Sequence, residues 1–295
     1  MAIQPLHILR LCFRVVGDAY DHFNSADGWA IASHIALSIL LALFPFLILV
    51  TSLAASLFGT TTLADEVAEL LLDTWPDEVA APIAREIRVV LTTTRGDLLT
   101  ISVALAIYFA SSGIESLRIG LNRAYGMAER RSWFLLRLES IGYVLIGAVA
   151  LLAMAFLIVL GPLLFATASR LTPALLQFEW NITIARYAVA TAALIVALVV
   201  AHRWLAAGRR RLLEVAPGII ATLVLWLVGG MVFGRYLAKF PSVYVSYYAG
   251  LASVMIALVF LYLTASIFVF GGELNAAIVR ARTEPDGARN PELAR

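Results

Sequence analysis

The chain has 295 residues, 61% of them hydrophobic and only 14% charged, with a formal net charge of +2. Soluble domains run near half apolar and a quarter charged, so these proportions exclude a soluble globule of this size. The near-neutral balance favours no polyanionic partner, nucleic acid included, and the lone Cys12 excludes an internal disulfide or a cysteine-based metal cluster.

Several uncharged runs of about twenty residues predict instead an all-α polytopic membrane protein. The expected architecture is a bundle of six transmembrane helices, with an N-terminal amphipathic helix and short helices in the first outer loop. Residues 1–24 place Arg10, Arg14, Asp18 and Asp21 among apolar residues at helical spacing. They read as a surface helix from near Pro5 rather than as a signal peptide.

The first span is expected over 29–58, kinked near Leu41–Pro45 because proline removes a ladder hydrogen bond. The acidic stretch 60–97 follows, read as two short helices broken near Trp75-Pro76. The second span, 98–114, is short and runs into Glu115, Arg118 and Arg123. A basic segment leads to the third span over 141–165, the fourth over 184–201, and the run Arg209, Arg210, Arg211. The fifth span, 216–236, opens on Pro217-Gly218, and the sixth covers 249–272. Residues 1–283 thus form a single membrane domain, with 284–295 a disordered cytoplasmic tail. The basic segments 115–139, 202–214 and the tail, against the acidic 60–97, place both termini in the cytoplasm.

Candidate site residues come from helical projection. At about 100° per residue, His34, Ser38, Pro45 and Ser52 fall within roughly 40° of one another, a polar stripe expected to face a helix or a wet cavity. Ordinary helix packing is the alternative reading of that stripe. Span six presents one face of small residues and another carrying Tyr248, Tyr262 and Glu273. Glu273 is the first acid after twenty-odd uncharged residues, suited to pairing with an arginine, taking up a proton or binding a cation. Arg235 and Lys239, near Tyr248 and Gly250, sit where they would meet an anionic headgroup or form part of an aromatic belt. Signatures of phosphate-binding loops, zinc proteases and serine hydrolases are absent from the sequence, as is any pair of histidines at metal-ligand spacing. Neither enzyme activity, a metal nor a cofactor is expected.

Phe240-Pro241-Ser242, Tyr248 with Gly250, Phe260-Leu261-Tyr262, Gly271-Gly272-Glu273-Leu274-Asn275, Leu43-Phe44-Pro45-Phe46 and Pro217-Gly218 together resemble the YihY/BrkB family of bacterial inner-membrane proteins. The similarity covers about residues 18–280. The family pattern has Tyr-Gly, Trp-Leu-Tyr and Gly-Ala-Glu where Tyr248-Ala249-Gly250, Phe260-Leu261-Tyr262 and Gly271-Gly272-Glu273 stand here. The resemblance implies six transmembrane helices and residence in the plasma membrane. It also brings a ribonuclease label, which a chain without clustered metal ligands does not support, and a virulence label that describes a phenotype. The resulting expectation is a transporter or a lipid- or solute-handling protein with its site between spans one and six. The alternative is an envelope-assembly protein that binds partners through residues 60–97. Membrane lipids, a small-molecule or lipid substrate and a homo-oligomer are the expected partners.

Overall fold

Apolar runs interrupted by few glycines and prolines dictate helix, and helix is what the computed structural model contains. It describes residues 5–58, 96–155, 179–239 and 252–283, and among these there is no strand. The helices are α1 (Pro5–Ser25), α2 (Gly28–Phe58), α3 (Gly96–Ala124), α4 (Trp133–Ala155), α5 (Glu179–Val200), α6 (Leu212–Lys239) and α7 (Ala252–Thr283), with a π-helical turn at Ala201–Leu205 after α5. Five described stretches are long and apolar enough to cross a bilayer: Gly28–Leu47, Trp133–Met154, Trp180–Leu205, Leu212–Lys239 and Val254–Thr283. The chain is a multi-pass membrane protein.

Every helix overruns its predicted span at one end or both. The second predicted span, 98–114, is the middle of the 29-residue α3, which continues through Glu115, Arg118 and Arg123. The third begins eight residues early, at Trp133 rather than 141, and the sixth reaches Thr283 rather than 272. Hydropathy marks where lipid would lie. Arg, Glu, Leu and Ala are good helix formers, so a helix continues past that boundary until a stop signal ends it. The predicted short helices within 60–97, the Tyr248-Ala249-Gly250 turn and the tail 284–295 lie outside the described residues.

The helices divide between two compact units. The first takes the described parts of Met1–Leu37, Ser116–Arg130 and Ala197–Arg295; the second takes those of Ser38–Glu115 and Arg131–Val196. In the second, Leu49 and Val50 of α2, Ala110 of α3 and Val144 and Ala148 of α4 form a buried core, flanked by Phe46, Ile107 and Leu152. Small residues set its spacing: a methyl group on Gly113 would stand 3.3 Å from the Cβ of Ala42. Arg137 is buried there, ion-paired with Glu115 and stacked 3.8 Å from the Tyr108 ring centroid.

In the first unit α7 is the central element, packed by α6 and by α1. Helices α6 and α7 meet at glycines. A methyl group on Gly218 would collide with the Gly271 carbonyl oxygen and the Asn275 side chain, and one on Gly271 with Thr222 Oγ1. Small-residue contact of this kind lets two backbones touch. Further along the same pair, the Trp226 indole N–H donates to the Thr264 carbonyl at 3.0 Å.

A tight corner joins α1 to α2. Asp27 takes the left-handed conformation (φ 57°), one that Asp tolerates better than most residues. Gly28 follows, where a Cβ would stand 2.5 Å from the Phe23 ring. The Trp29 indole donates to Asn24 Oδ1 at 2.7 Å, and its ring meets Phe23 edge-on at 4.9 Å. Phe23 is thereby buried toward Phe270 of α7. The polar end of α1 is delivered to the last turns of α7.

Candidate functional site

The stop signal of α3 begins the site. Gly126 is left-handed (φ 60°), its N–H bonds the Arg123 carbonyl, and the Met127 N–H reaches back to the Asn122 carbonyl at 2.8 Å. This is the six-to-one, five-to-two pattern of a glycine-terminated helix. It fixes Asn122 and Tyr125 in the last turn. Asn122 is buried, and its Oδ1 accepts the Ala207 N–H at 2.6 Å, which docks the segment after α5 onto α3. Its Nδ2 donates to Glu129 at 3.2 Å.

The π-helical turn after α5 positions His202, which is wholly buried. Its Nδ1 stands 2.6 Å from the Tyr125 hydroxyl, and its ring lies 5.3 Å from that of Phe268. Asn275 of α7 completes the connection: Oδ1 accepts the Gly218 N–H at 2.7 Å and Nδ2 donates to the Tyr125 hydroxyl at 3.1 Å. Pro217, just before Gly218, has no N–H and crowds the preceding turn, so the start of α6 is where a side chain can take over a backbone donor. With its Oδ1 engaged by Gly218, Asn275 meets Tyr125 as a donor, and the direction of the Tyr125–His202 bond is set by the His202 tautomer.

Burial pushes the Tyr125 phenol up to about 12, against the opposing effects of the Asn275 hydrogen bond and the Arg210 charge. It stays protonated at any physiological pH. Arg210 lies flat on the other side of that ring, its Cζ 3.6 Å from the centroid. Its Nη2 donates to the Ala207 carbonyl at 2.9 Å and its Nη1 to the His202 carbonyl at 3.4 Å. Burial lowers the Arg210 pKa, offset in part by Tyr125 and Glu214.

The α1 side contributes two polar links to α7. His22 Nδ1 is 2.7 Å from Oε2 of Glu273, which is 1% exposed. Arg280 donates through Nε (3.2 Å) and Nη2 (3.0 Å) to Asp18 Oδ2. At the start of α6, Glu214 Oε2 accepts the Arg211 N–H at 2.8 Å, the returning half of a capping box.

Above this network lies a half-open cavity of about 470 Å³. His22, Tyr125, Gly126, Met127, Gly208, Arg209, Arg210, Glu214, Asn275, Ala276, Val279 and Arg280 line it. Every one of these residues belongs to the first unit. Among the described residues no group of three or more His, Cys, Asp or Glu side chains is placed to hold a metal ion.

Of the residues put forward from sequence as site candidates, Glu273 touches this constellation, and its hydrogen-bond partner is His22 rather than an arginine. His34 is exposed, and Ser38 and Pro45 are half-buried on α2; Ser52 lies on the same helix. Arg235 and Lys239 are exposed at the far end of α6, and Tyr262 is half-buried with its ring 6.4 Å from Trp29. Tyr248 and Gly250 lie outside the described residues. Sequence reading missed His22, Asn122, Tyr125, His202 and Arg210. The signals that point to them are a histidine ending an apolar helix, a Tyr-Gly helix stop and the Arg209-Arg210-Arg211 run.

The chain is 24% identical over 269 residues, 91% of its length and 96% of the relative's, to the "Putative ribonuclease-like protein YfkH" of Bacillus subtilis (strain 168). No solved structure matches it. Residues 19–294 match the family described as virulence factor BrkB, and the chain belongs to that family.

Proposed function

We propose that this protein is a plasma-membrane protein with both termini in the cytoplasm that handles a lipid or small solute without chemical turnover, and that the handled molecule docks in the cavity of the first unit. The observation that supports this reading is the cavity itself. At about 470 Å³ it falls in the range of small-molecule sites, and its walls come from four separate stretches of chain. The hydrogen-bonded floor of Tyr125, His202, Asn275 and Gly218 gives it a fixed shape. The orientation rests on the basic segments 115–139 and 202–214, which the cytoplasmic side retains.

The test is thermal stability of the purified chain in detergent against lipids, osmolytes, metabolites and cations, run beside Val279→Trp, which fills the cavity. A ligand at a hundred times its Kd stabilises by about 2.7 kcal/mol. A shift seen in the wild type and lost in Val279→Trp is the expected result. The ribonuclease-like label of the Bacillus relative is tested on the same preparation. RNA turnover abolished by His22→Gln would overturn the non-catalytic reading, because His22, with Nδ1 on a buried carboxylate, is oriented as a general base would be.

A further inference from the structure

Resting on that reading, we propose that the cavity takes a phosphate-class oxyanion, with Arg209 and Arg210 as its recognition residues. Three guanidiniums line the cavity against one carboxylate, that of Glu214. Their partners differ in a way that decides the matter. Arg280 is neutralised by Asp18, and Glu214 is turned to the Arg211 N–H. Arg210 is held by two carbonyls and an aromatic face, none of which carries a charge; Glu214 acts on it electrostatically without forming an ion pair. Arg209 is exposed, and among the described residues its side chain has no partner.

Arg210 is therefore fixed before any ligand arrives. A guanidinium has five N–H donors in a rigid fork, and the two carbonyls engage two of them. The fork suits bidentate binding of an oxyanion, and an immobilised fork loses little entropy on binding. Arg209 beside it supplies a second positive charge, and the two guanidiniums together can engage more than one oxygen of a phosphate group. Gly208, next to them in sequence, is left-handed at φ 90°, a conformation glycine takes without strain, and a Cβ there would stand 3.0 Å from the Met127 methyl. Met127, beside Gly208, and Ala276 and Val279 of α7 add apolar surface to the lining, so the fitting ligand is a phosphate ester with an organic part. A free phosphate monoester and the headgroup of an anionic phospholipid share that chemistry.

The experiment measures midpoint shifts of the full chain in a neutral detergent, at matched ionic strength. The probes are inorganic phosphate, glycerol phosphate and short-chain phosphatidylglycerol, with glycerol and chloride as controls. Wild type is compared with Arg209→Gln, whose exposed position keeps the fold intact, and with Val279→Trp. We expect a phosphate compound to raise the midpoint, with apparent Kd about tenfold weaker in Arg209→Gln and no shift in Val279→Trp. A response to phosphatidylglycerol alone assigns the headgroup; a response to glycerol phosphate as well assigns the phosphate ester itself. If phosphates fail while an uncharged or cationic compound gives a shift that Val279→Trp removes, the anion inference is overturned and the cavity reading stands. Silence from the whole panel overturns both. A phosphate response unchanged in the two variants places binding elsewhere and also overturns the inference.

Discussion

Replacing Asn275 with Ala removes a side chain that ties α7 by hydrogen bonds to both α6 and the end of α3. Asn275 is 1% exposed and makes two hydrogen bonds, accepting from Gly218 N–H at 2.7 Å and donating to Tyr125 at 3.1 Å. Stranding the buried Gly218 N–H costs about 1–3 kcal/mol, and losing the Tyr125 bond about 0.5–1.5 more. The expected total is about 2–4 kcal/mol. At roughly 2 °C per kcal/mol for a chain of this size, the midpoint falls by roughly 4–8 °C. Asn275→Leu separates hydrogen bonding from packing, since leucine restores the volume and neither bond. It should destabilise as much as Ala, and Tyr125→Phe should cost less in the Asn275→Ala background than alone. Thermal unfolding followed by size-exclusion recovery reads the four variants beside the wild type. A midpoint within 1 °C of wild type for Asn275→Leu would show that Asn275 only fills space and would refute the network.

Gly218→Ala and Gly271→Ala each place a methyl group against backbone or Thr222 at the crossing of α6 and α7, so both should lower the midpoint by several degrees, whereas Gly234→Ala, with open space around it, should not. Arg137→Ala leaves the partly exposed Glu115 without its partner in the second unit and should cost about 1–3 kcal/mol, read in the same unfolding assay. Tyr125, raised from 10 to about 12, keeps its proton in the folded state after the unfolded chain has lost it. The Tyr125 contribution to stability is therefore flat below pH 10 and falls by roughly 2–3 kcal/mol between pH 10 and 12, a slope that Tyr125→Phe should remove. Glu273→Gln keeps a partner for His22 and should leave α1 docked; Glu273→Leu should release it, read as faster proteolysis near Asn24.

The helices were legible because hydropathy needs only neighbours in sequence. The face of small residues on span six also announced a close helix approach; that it meets Gly218 near the start of α6 was not legible. Helix ends were less legible, since Glu115, Arg118 and Arg123 break an apolar run without breaking a helix. The site was the least legible part. Its contacts join residues 251 (His22 and Glu273), 150 (Asn275 and Tyr125) and 77 (Tyr125 and His202) positions apart. Helical projection sees one helix at a time, and it therefore favoured the His34 and Ser38 stripe over polar residues at the ends of different helices. The mark that would have served better is position: Asn122, Tyr125, His202, Arg210 and Glu273 all stand where an apolar run meets a basic segment.

The cavity's standing as a water-accessible cytoplasmic site is tested most directly by labelling one introduced cysteine. Cys12 is the only native cysteine, so a Cys12→Ala, Val279→Cys chain carries a single thiol on the cavity wall, at a position 39% exposed. A membrane-impermeant maleimide should modify it in inside-out vesicles and not in right-side-out ones. Labelling from the outer side alone, or from neither side with the chain intact in the membrane, would contradict a cytoplasmic ligand site in the first unit.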